Sequence, residues 1–138
     1  MKRKLTAVIA IVLTLAGCAS STEHAPTSAT PTENPAQAIC DEFSGMTDRM
    51  ADLVVGLWSD SGEPGDAEEL DGMGGAFDTL SLKDDGEIGN RIATVADVLL
   101  ESAPIVVSTS PQKYFDALES VQRACDSEGI TINVTTWN

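Results

Sequence analysis

The stretch PAQAICDEFSGMTDRMADLVVGLW, residues 35–58, decides the fold of this chain. Its apolar residues recur at steps of three and four, which places them on one face of an α-helix. That face consists of Ile39, Phe43, Met46, Met50, Leu53, Val54 and Leu57. Asn34 suits the N-cap and Pro35 the first helical position, and the turn cluster 59–65 should end the helix near Trp58. The sequence therefore predicts a long amphipathic helix.

A second helix is predicted from Asp66, because acidic residues in a first turn suit the positive end of the helix dipole. Its acidic first turn holds Asp66, Glu68 and Glu69, and its apolar face holds Leu70, Met73, Phe77 and Leu80. Gly74 and Gly75 each cost about 1 kcal/mol relative to alanine inside a helix. Either the glycines allow a close approach to a neighbouring helix, or the helix breaks there.

Two more helices follow. The third is capped by the sequence 84–86, and Pro104 should stop it, leaving residues 105–109 as an extended connection. The fourth should begin with Ser110 as cap and Pro111 as first residue, and Gly129 should end it. The apolar faces are Ile88, Ile92, Val95 and Leu99 in the third helix, and Phe115, Leu118, Val121, Gln122 and Cys125 in the fourth.

Short loops between helices favour antiparallel packing, so the sequence predicts an all-α, up-down-up-down four-helix bundle over residues 35–138. Cys40 near the start of the first helix and Cys125 near the end of the fourth would then lie at the same pole. A Cys40–Cys125 disulfide is therefore expected, with two buried free thiols as the alternative.

The C-terminal stretch 130–137, ITINVTTW, alternates apolar and polar residues like a β-strand. One interpretation packs Ile130, Ile132 and Val134 along the bundle as a short extended tail. The other leaves the stretch as an exposed edge that adds to a partner's sheet.

The N-terminus has the parts of an export signal: a basic cluster at residues 2–4, an apolar run over 5–16 and small residues before Cys18. The apolar run of about a dozen residues is shorter than the about 20 that span a bilayer. Leu15-Ala16-Gly17-Cys18 resembles the lipobox of bacterial lipoproteins, a resemblance confined to residues 1–18.

This resemblance implies that residues 1–17 are a cleaved signal peptide and that Cys18 carries the lipid that anchors the protein to the extracytoplasmic face of the cell membrane. The alternative is an ordinary signal peptide that leaves Cys18 as a free thiol. Lipidation would remove Cys18 from the three cysteines, leaving Cys40 and Cys125 as a pair in a compartment where disulfides persist.

Residues 18–34 are rich in Ser, Thr, Pro and Ala and are predicted to form a disordered linker, which contains His24. Loss of the three basic residues at 2–4 leaves five basic against 22 acidic residues, a net charge near −17. A surface this acidic repels the phosphate backbone of DNA and RNA, so the sequence predicts that the protein does not bind nucleic acid.

The sequence lacks the residues that several common catalytic and ligand-binding sites require. His24 is the chain's one histidine, so the domain has no Ser-His-Asp or Cys-His arrangement. Zinc lacks ligands if the two domain cysteines are paired, and the chain has no phosphate-binding loop. Carboxylates are numerous, but those at 41, 42, 48 and 52 fit a solvated helix face. The sequence predicts a protein that is not an enzyme and has no metal or cofactor.

The leading hypothesis is a membrane-tethered, non-catalytic module that binds an envelope or surface protein, with a patch at Trp58 and Trp137. This layout is similar to that of small actinobacterial lipoproteins and of phage-encoded surface lipoproteins that act in superinfection exclusion. The alternative is a helical bundle that binds a small ligand in a core cavity. That cavity would be lined by Met46, Met50, Met73, Phe43, Phe77 and Phe115.

Overall fold

The computed structural model describes residues 34–108 and 111–137, with the backbone alone over 102–108. It contains the predicted four α-helices. Their bounds are α1 Pro35–Trp58, α2 Asp66–Ser81, α3 Glu87–Ser108 and α4 Gln112–Ser127. The prediction of an all-α bundle is confirmed. The predictions for the signal peptide, for Cys18 and for the linker as far as residue 33 lie outside the described residues.

Neighbouring helices run antiparallel. Lys83, which follows α2, donates to both carboxylate oxygens of Glu42 near the start of α1, at 2.7 and 2.8 Å. Farther along α1, Arg49 contacts Glu69 in the first turn of α2. Later residues of α1 thus face earlier residues of α2.

The same holds for α2 and α3, since Asp84 just after α2 bonds Gly89 early in α3 while Gly74 farther back in α2 lies against Leu100. Early α3 also faces late α4, since Arg91 lines one cavity with Arg123 and Thr94 lines another with Lys113. The helices therefore have the predicted up-down-up-down topology.

The apolar faces of the four helices meet in one core. Phe43 of α1 and Phe77 of α2 are fully buried and pack edge to face, with ring centroids 5.6 Å apart. The predicted faces of α1, α2 and α3 are buried, although Met46, Leu57 and Leu70 are covered only in part. Tyr114 of α4 also lies in the core, which the predicted face of that helix did not include.

Local side-chain and backbone chemistry sets the helix ends. The side chain of Asn34 accepts a hydrogen bond from the amide of Ala36, and Asp84 accepts one from Gly89 at the start of α3, as predicted. Gly129 has a φ of 77° after α4, and the amide of Ile130 bonds back to the carbonyl of Cys125 at 3.0 Å. This is a Schellman motif, which needs a residue that tolerates positive φ.

Two predicted boundaries near the α3–α4 connection are wrong. α3 continues through Pro104 to Ser108, so the backbone over 105–108 is helical rather than extended. Proline removes one backbone hydrogen bond from a helix interior, and that loss does not end this helix. Pro111 precedes α4 as its N-cap residue instead of being its first helical residue, and its carbonyl accepts the amide of Phe115 at 2.8 Å.

Gly74 and Gly75 do not break α2. A Cβ added to Gly74 would lie 3.0 Å from Cδ2 of Leu100 and 3.4 Å from Cβ of Leu99, both on α3. Gly74 therefore allows the close approach of α2 and α3 that the sequence offered as one alternative. Nothing lies within 4 Å of the corresponding position on Gly75.

We expect Gly75→Ala to raise the free energy of unfolding by up to about 1 kcal/mol, because alanine is the better helix former and meets no neighbour. Gly74→Ala should gain less, since Leu100 must move to admit the methyl group. Urea denaturation of the two variants beside the wild type measures both effects. An equal gain for Gly74→Ala would show that the approach of α2 and α3 does not depend on that glycine.

The C-terminal tail, residues 130–137, lies between α1 and α4 and forms no strand. The carbonyl of Ile132 accepts a hydrogen bond from Gln122 of α4 at 2.9 Å. The carbonyl of Asn133 accepts one from Ser44 of α1 at 2.7 Å. Ile130 and Ile132 are buried and Val134 is half-buried against the core. The tail therefore packs along the bundle, as the first interpretation of its sequence predicts. Its alternating apolar residues contact the core and do not form an exposed strand edge.

Cys40 and Cys125 form the predicted disulfide, with Cα atoms 6.2 Å apart. Both residues are fully buried. The bond joins the start of α1 to the end of α4, so the first and last helices are linked covalently at one pole of the bundle.

Candidate interaction surface

The predicted patch of Trp58 and Trp137 is not formed, because Trp137 is buried. Only 4% of Trp137 is exposed. Its ring stacks on Tyr114 with centroids 5.4 Å apart and meets Phe115 edge-on at 5.2 Å. Trp58, by contrast, is 52% exposed at the end of α1. The two tryptophans thus have opposite environments, and only Trp58 is available to a partner.

Tyr114 and Trp137 are packed into the core with side-chain polar atoms that form no hydrogen bonds to the described residues. Neither the Tyr114 hydroxyl nor the Trp137 indole N–H has a hydrogen-bond partner among the described residues. Burial raises the pKa of the Tyr114 phenol above its usual range. The aromatic contacts of this cluster must therefore outweigh the cost of two unpaired polar groups.

Trp58 has an apolar neighbour on its own helix face. Val55, one turn earlier on α1, is 50% exposed. The loop 59–65 follows directly and carries Asp60 and Glu63, both exposed. We call Val55, Trp58 and this loop the Trp58 end. It combines a half-exposed apolar pair with an acidic rim.

The other exposed large apolar residues are separate. Leu82 is 81% exposed just after α2, close to Lys83, which bonds near the start of α1. Leu100 is 62% exposed on α3, beside Gly74. Single exposed apolar residues are usual on protein surfaces. Within residues 34–101 and 111–137, two exposed large apolar side chains lie next to each other on one helix face at the Trp58 end.

The aromatic and methionine residues predicted to line a ligand cavity belong instead to the packed interior. Phe43, Phe77 and Met50 are at most 1% exposed and Met73 is 6% exposed. Met46 and Phe115 are half-buried against the same core. Three surface cavities, of about 190, 250 and 340 Å³, are lined by none of these six residues.

The acidic residues at 41, 42, 48 and 52 of α1 are all exposed, as expected for a solvated face. A cluster of charges joins α1 to α2: Arg49 donates to Glu69 at 2.5 and 2.7 Å and to Asp66 at 3.3 Å. The hydrogen bond from Arg49 lowers the pKa of the Glu69 carboxyl, and the same bond raises the pKa of Arg49. These ion pairs link α1 to α2 at the surface of the bundle.

The described residues contain no group of three or more His, Cys, Asp or Glu side chains placed to hold a metal ion. None of the described helices combines the length and the apolar composition needed to cross a bilayer. Comparison of the chain with known protein families, curated proteins and solved structures gives no match.

Proposed function

We propose that the protein is a lipid-anchored, non-catalytic interaction module of the cell envelope that binds another envelope or surface protein through the Trp58 end. The anchor would be Cys18, and the residues 18–34 would connect it to the helical domain. For a phage-encoded protein of this layout, superinfection exclusion is the process that such binding would serve.

The proposed anchor is supported by the sequence. The lipobox-like Leu15-Ala16-Gly17-Cys18 follows an apolar run of signal-peptide length. Two or more acyl chains hold a protein stably on a membrane, since each buried CH₂ contributes about 0.8 kcal/mol. The odd cysteine also has a role under this proposal, because Cys40 and Cys125 are already bonded to each other.

The observation that carries the binding proposal is the half-exposed pair Val55 and Trp58 at the far end of α1. Tryptophan is enriched among the residues that dominate protein–protein binding energy. α1 has 24 residues and rises about 1.5 Å per residue, so Trp58 is about 35 Å from Pro35, where the linker joins. The Trp58 end is therefore remote from the attachment point, and the acidic rim favours a partner with basic groups around an apolar pocket.

Photo-crosslinking in the producing cells tests this proposal. A photoreactive residue in place of Val55 should yield one reproducible crosslinked protein, identified by mass spectrometry. Trp58→Ala should reduce that crosslink at least about tenfold, since removing a hot-spot residue costs about 2 kcal/mol or more. Cys18→Ala should abolish it by releasing the protein from the membrane fraction.

Leu82 provides the matched control, because it is equally apolar and more exposed but lies away from the Trp58 end. A photoreactive residue there should give no specific product. Equal crosslinking from positions 55 and 82 would refute a contact through the Trp58 end. Retention of Cys18→Ala in the membrane fraction would refute the anchor separately.

A further inference from the structure

Acidic residues are concentrated in the part of the chain that surrounds Trp58. Residues 48–71 contain eight acidic residues and one basic residue, Arg49. Residues 72–138 are more than twice as long, yet they contain ten acidic and four basic residues. The negative charge of the domain is therefore densest in the segment that forms the Trp58 end.

The one basic residue of this segment is already engaged. Arg49 pairs with Asp66 and Glu69, across the packing of α1 and α2. The six other carboxylates of the segment form no ion pair with any described residue. They belong to Asp48, Asp52, Asp60, Glu63, Glu68 and Asp71. Within the described residues, the charge around Trp58 is thus not neutralised.

Unpaired carboxylates flank the apolar pair on both sides along the chain. Asp52 lies one turn before Val55, so the two side chains share a face of α1. Asp60 follows Trp58 by two residues, and both acidic residues are exposed. An apolar surface between carboxylates is complementary to a segment that carries basic side chains on either side of an apolar one.

Hydrogen bonds order the loop that carries Asp60 and Glu63. The amide of Ser61 donates to the carbonyl of Gly56 at 3.1 Å. The amide of Glu63 donates to the carboxylate of Asp66 at 2.7 Å, and the amide of Asp66 donates back to the carbonyl of Glu63 at 3.1 Å. A loop that is already ordered loses less conformational entropy when a partner binds.

We infer that the segment recognised by the Trp58 end is short and basic. Its apolar residue contacts Val55 and Trp58, and lysine or arginine residues on either side pair with Asp52, Asp60 and Glu63. Asp52 precedes Trp58 by six residues, which is about 9 Å along the helix axis and within reach of about three extended residues. The inference rests on the proposed function and adds the chemical class of the partner's contact segment.

Fluorescence anisotropy with the full-length protein in non-ionic detergent tests the inference. The probe is a labelled peptide with one central leucine, flanked on each side by two lysines alternating with two serines. We expect saturable binding to the wild type that weakens with added salt. Trp58→Ala should weaken binding about tenfold, as loss of a central aromatic contact does. Asp60→Asn combined with Glu63→Gln should weaken it about fivefold, the effect of losing two exposed charge pairs.

The matched control is Asp126→Asn combined with Glu128→Gln. It removes the same charge from two exposed positions at the end of α4, next to Cys125 and away from the Trp58 end. This variant should change the affinity by less than about twofold, because distant surface charges are screened. Circular dichroism melts verify that each variant is folded.

The inference is overturned if the wild type shows no saturable binding or if the two double variants weaken binding equally. It is also overturned if Trp58→Ala binds like the wild type, or if a peptide with glutamine in place of lysine binds as well. Crosslinking from position 55 tests the proposed function separately. A specific crosslinked protein without peptide binding would refute the basic segment alone, whereas peptide binding without a crosslinked protein would refute the proposed function.

Discussion

Replacing Cys40 and Cys125 together by alanine should lower the free energy of unfolding by about 4 to 5 kcal/mol. The bond closes a loop with a sequence separation of 85 residues, and removing it restores the conformational entropy of that loop to the unfolded chain. Domains of this size are stable by only about 5 to 15 kcal/mol. Urea denaturation followed by circular dichroism should therefore show a large decrease in the midpoint.

Reductant supplies the control for this experiment. It should lower the midpoint of the wild type and leave the double alanine variant unchanged, since the variant has no disulfide in the domain. Alkylation of the unreduced, unfolded wild type should leave Cys40 and Cys125 unmodified. A double variant that unfolds at the wild-type urea concentration would contradict the stabilising role of the bond.

Trp137→Ala should destabilise the domain by about 3 to 5 kcal/mol, the usual cost of removing a large buried aromatic side chain. The substitution removes the stacking on Tyr114 and the edge contact with Phe115. It also removes the last buried residue of the tail, which lies between α1 and α4. Thermal and urea denaturation of the variant measure the loss.

Trp58→Ala is the matched control, because the same side chain is removed from a site that is 52% exposed. Its free energy of unfolding should stay within about 0.5 kcal/mol of the wild type. Trp137→Phe should retain more stability than Trp137→Ala, since a ring remains against Tyr114. Equal effects of the two tryptophan-to-alanine substitutions would mean that the tail does not contribute to the core.

Of the two tryptophans predicted to form the interaction surface, the sequence placed only Trp58 correctly. Trp58 follows directly from the sequence, because it lies where the apolar face of α1 gives way to a turn cluster and emerges half-exposed. The burial of Trp137 does not follow from the sequence. In the alternating pattern that buries Ile130 and Ile132, odd-numbered residues such as Trp137 would be exposed. Thr135 and Thr136 are both exposed, so the alternation ends before Trp137 turns back into the core. The aromatic pair Tyr114 and Phe115 was the signal for a hydrophobic site that could receive it.

The two cavities between α3 and α4, of about 250 and 340 Å³, were also beyond sequence analysis. Their lining joins Arg91 of α3 to Lys113 and Arg123 of α4, which are far from it in sequence. Periodicity indicates which face of each helix is apolar but not which polar residues meet across two packed helices. The small residues Ala117, Ser120 and Ala124 are unremarkable until α3 lies beside them.

By itself, the sequence determined the four helices, most of their ends and the disulfide. These depend on local rules: apolar spacing of 3.6 residues, caps at Asn34 and Asp84, the glycine stop at Gly129 and one suitable cysteine pair. Only the tertiary structure decided the passage of α3 through Pro104, the position of the tail between α1 and α4, and the burial of Trp137. Those features depend on surfaces of distant segments that fit together, and local propensity carries no information about such fit.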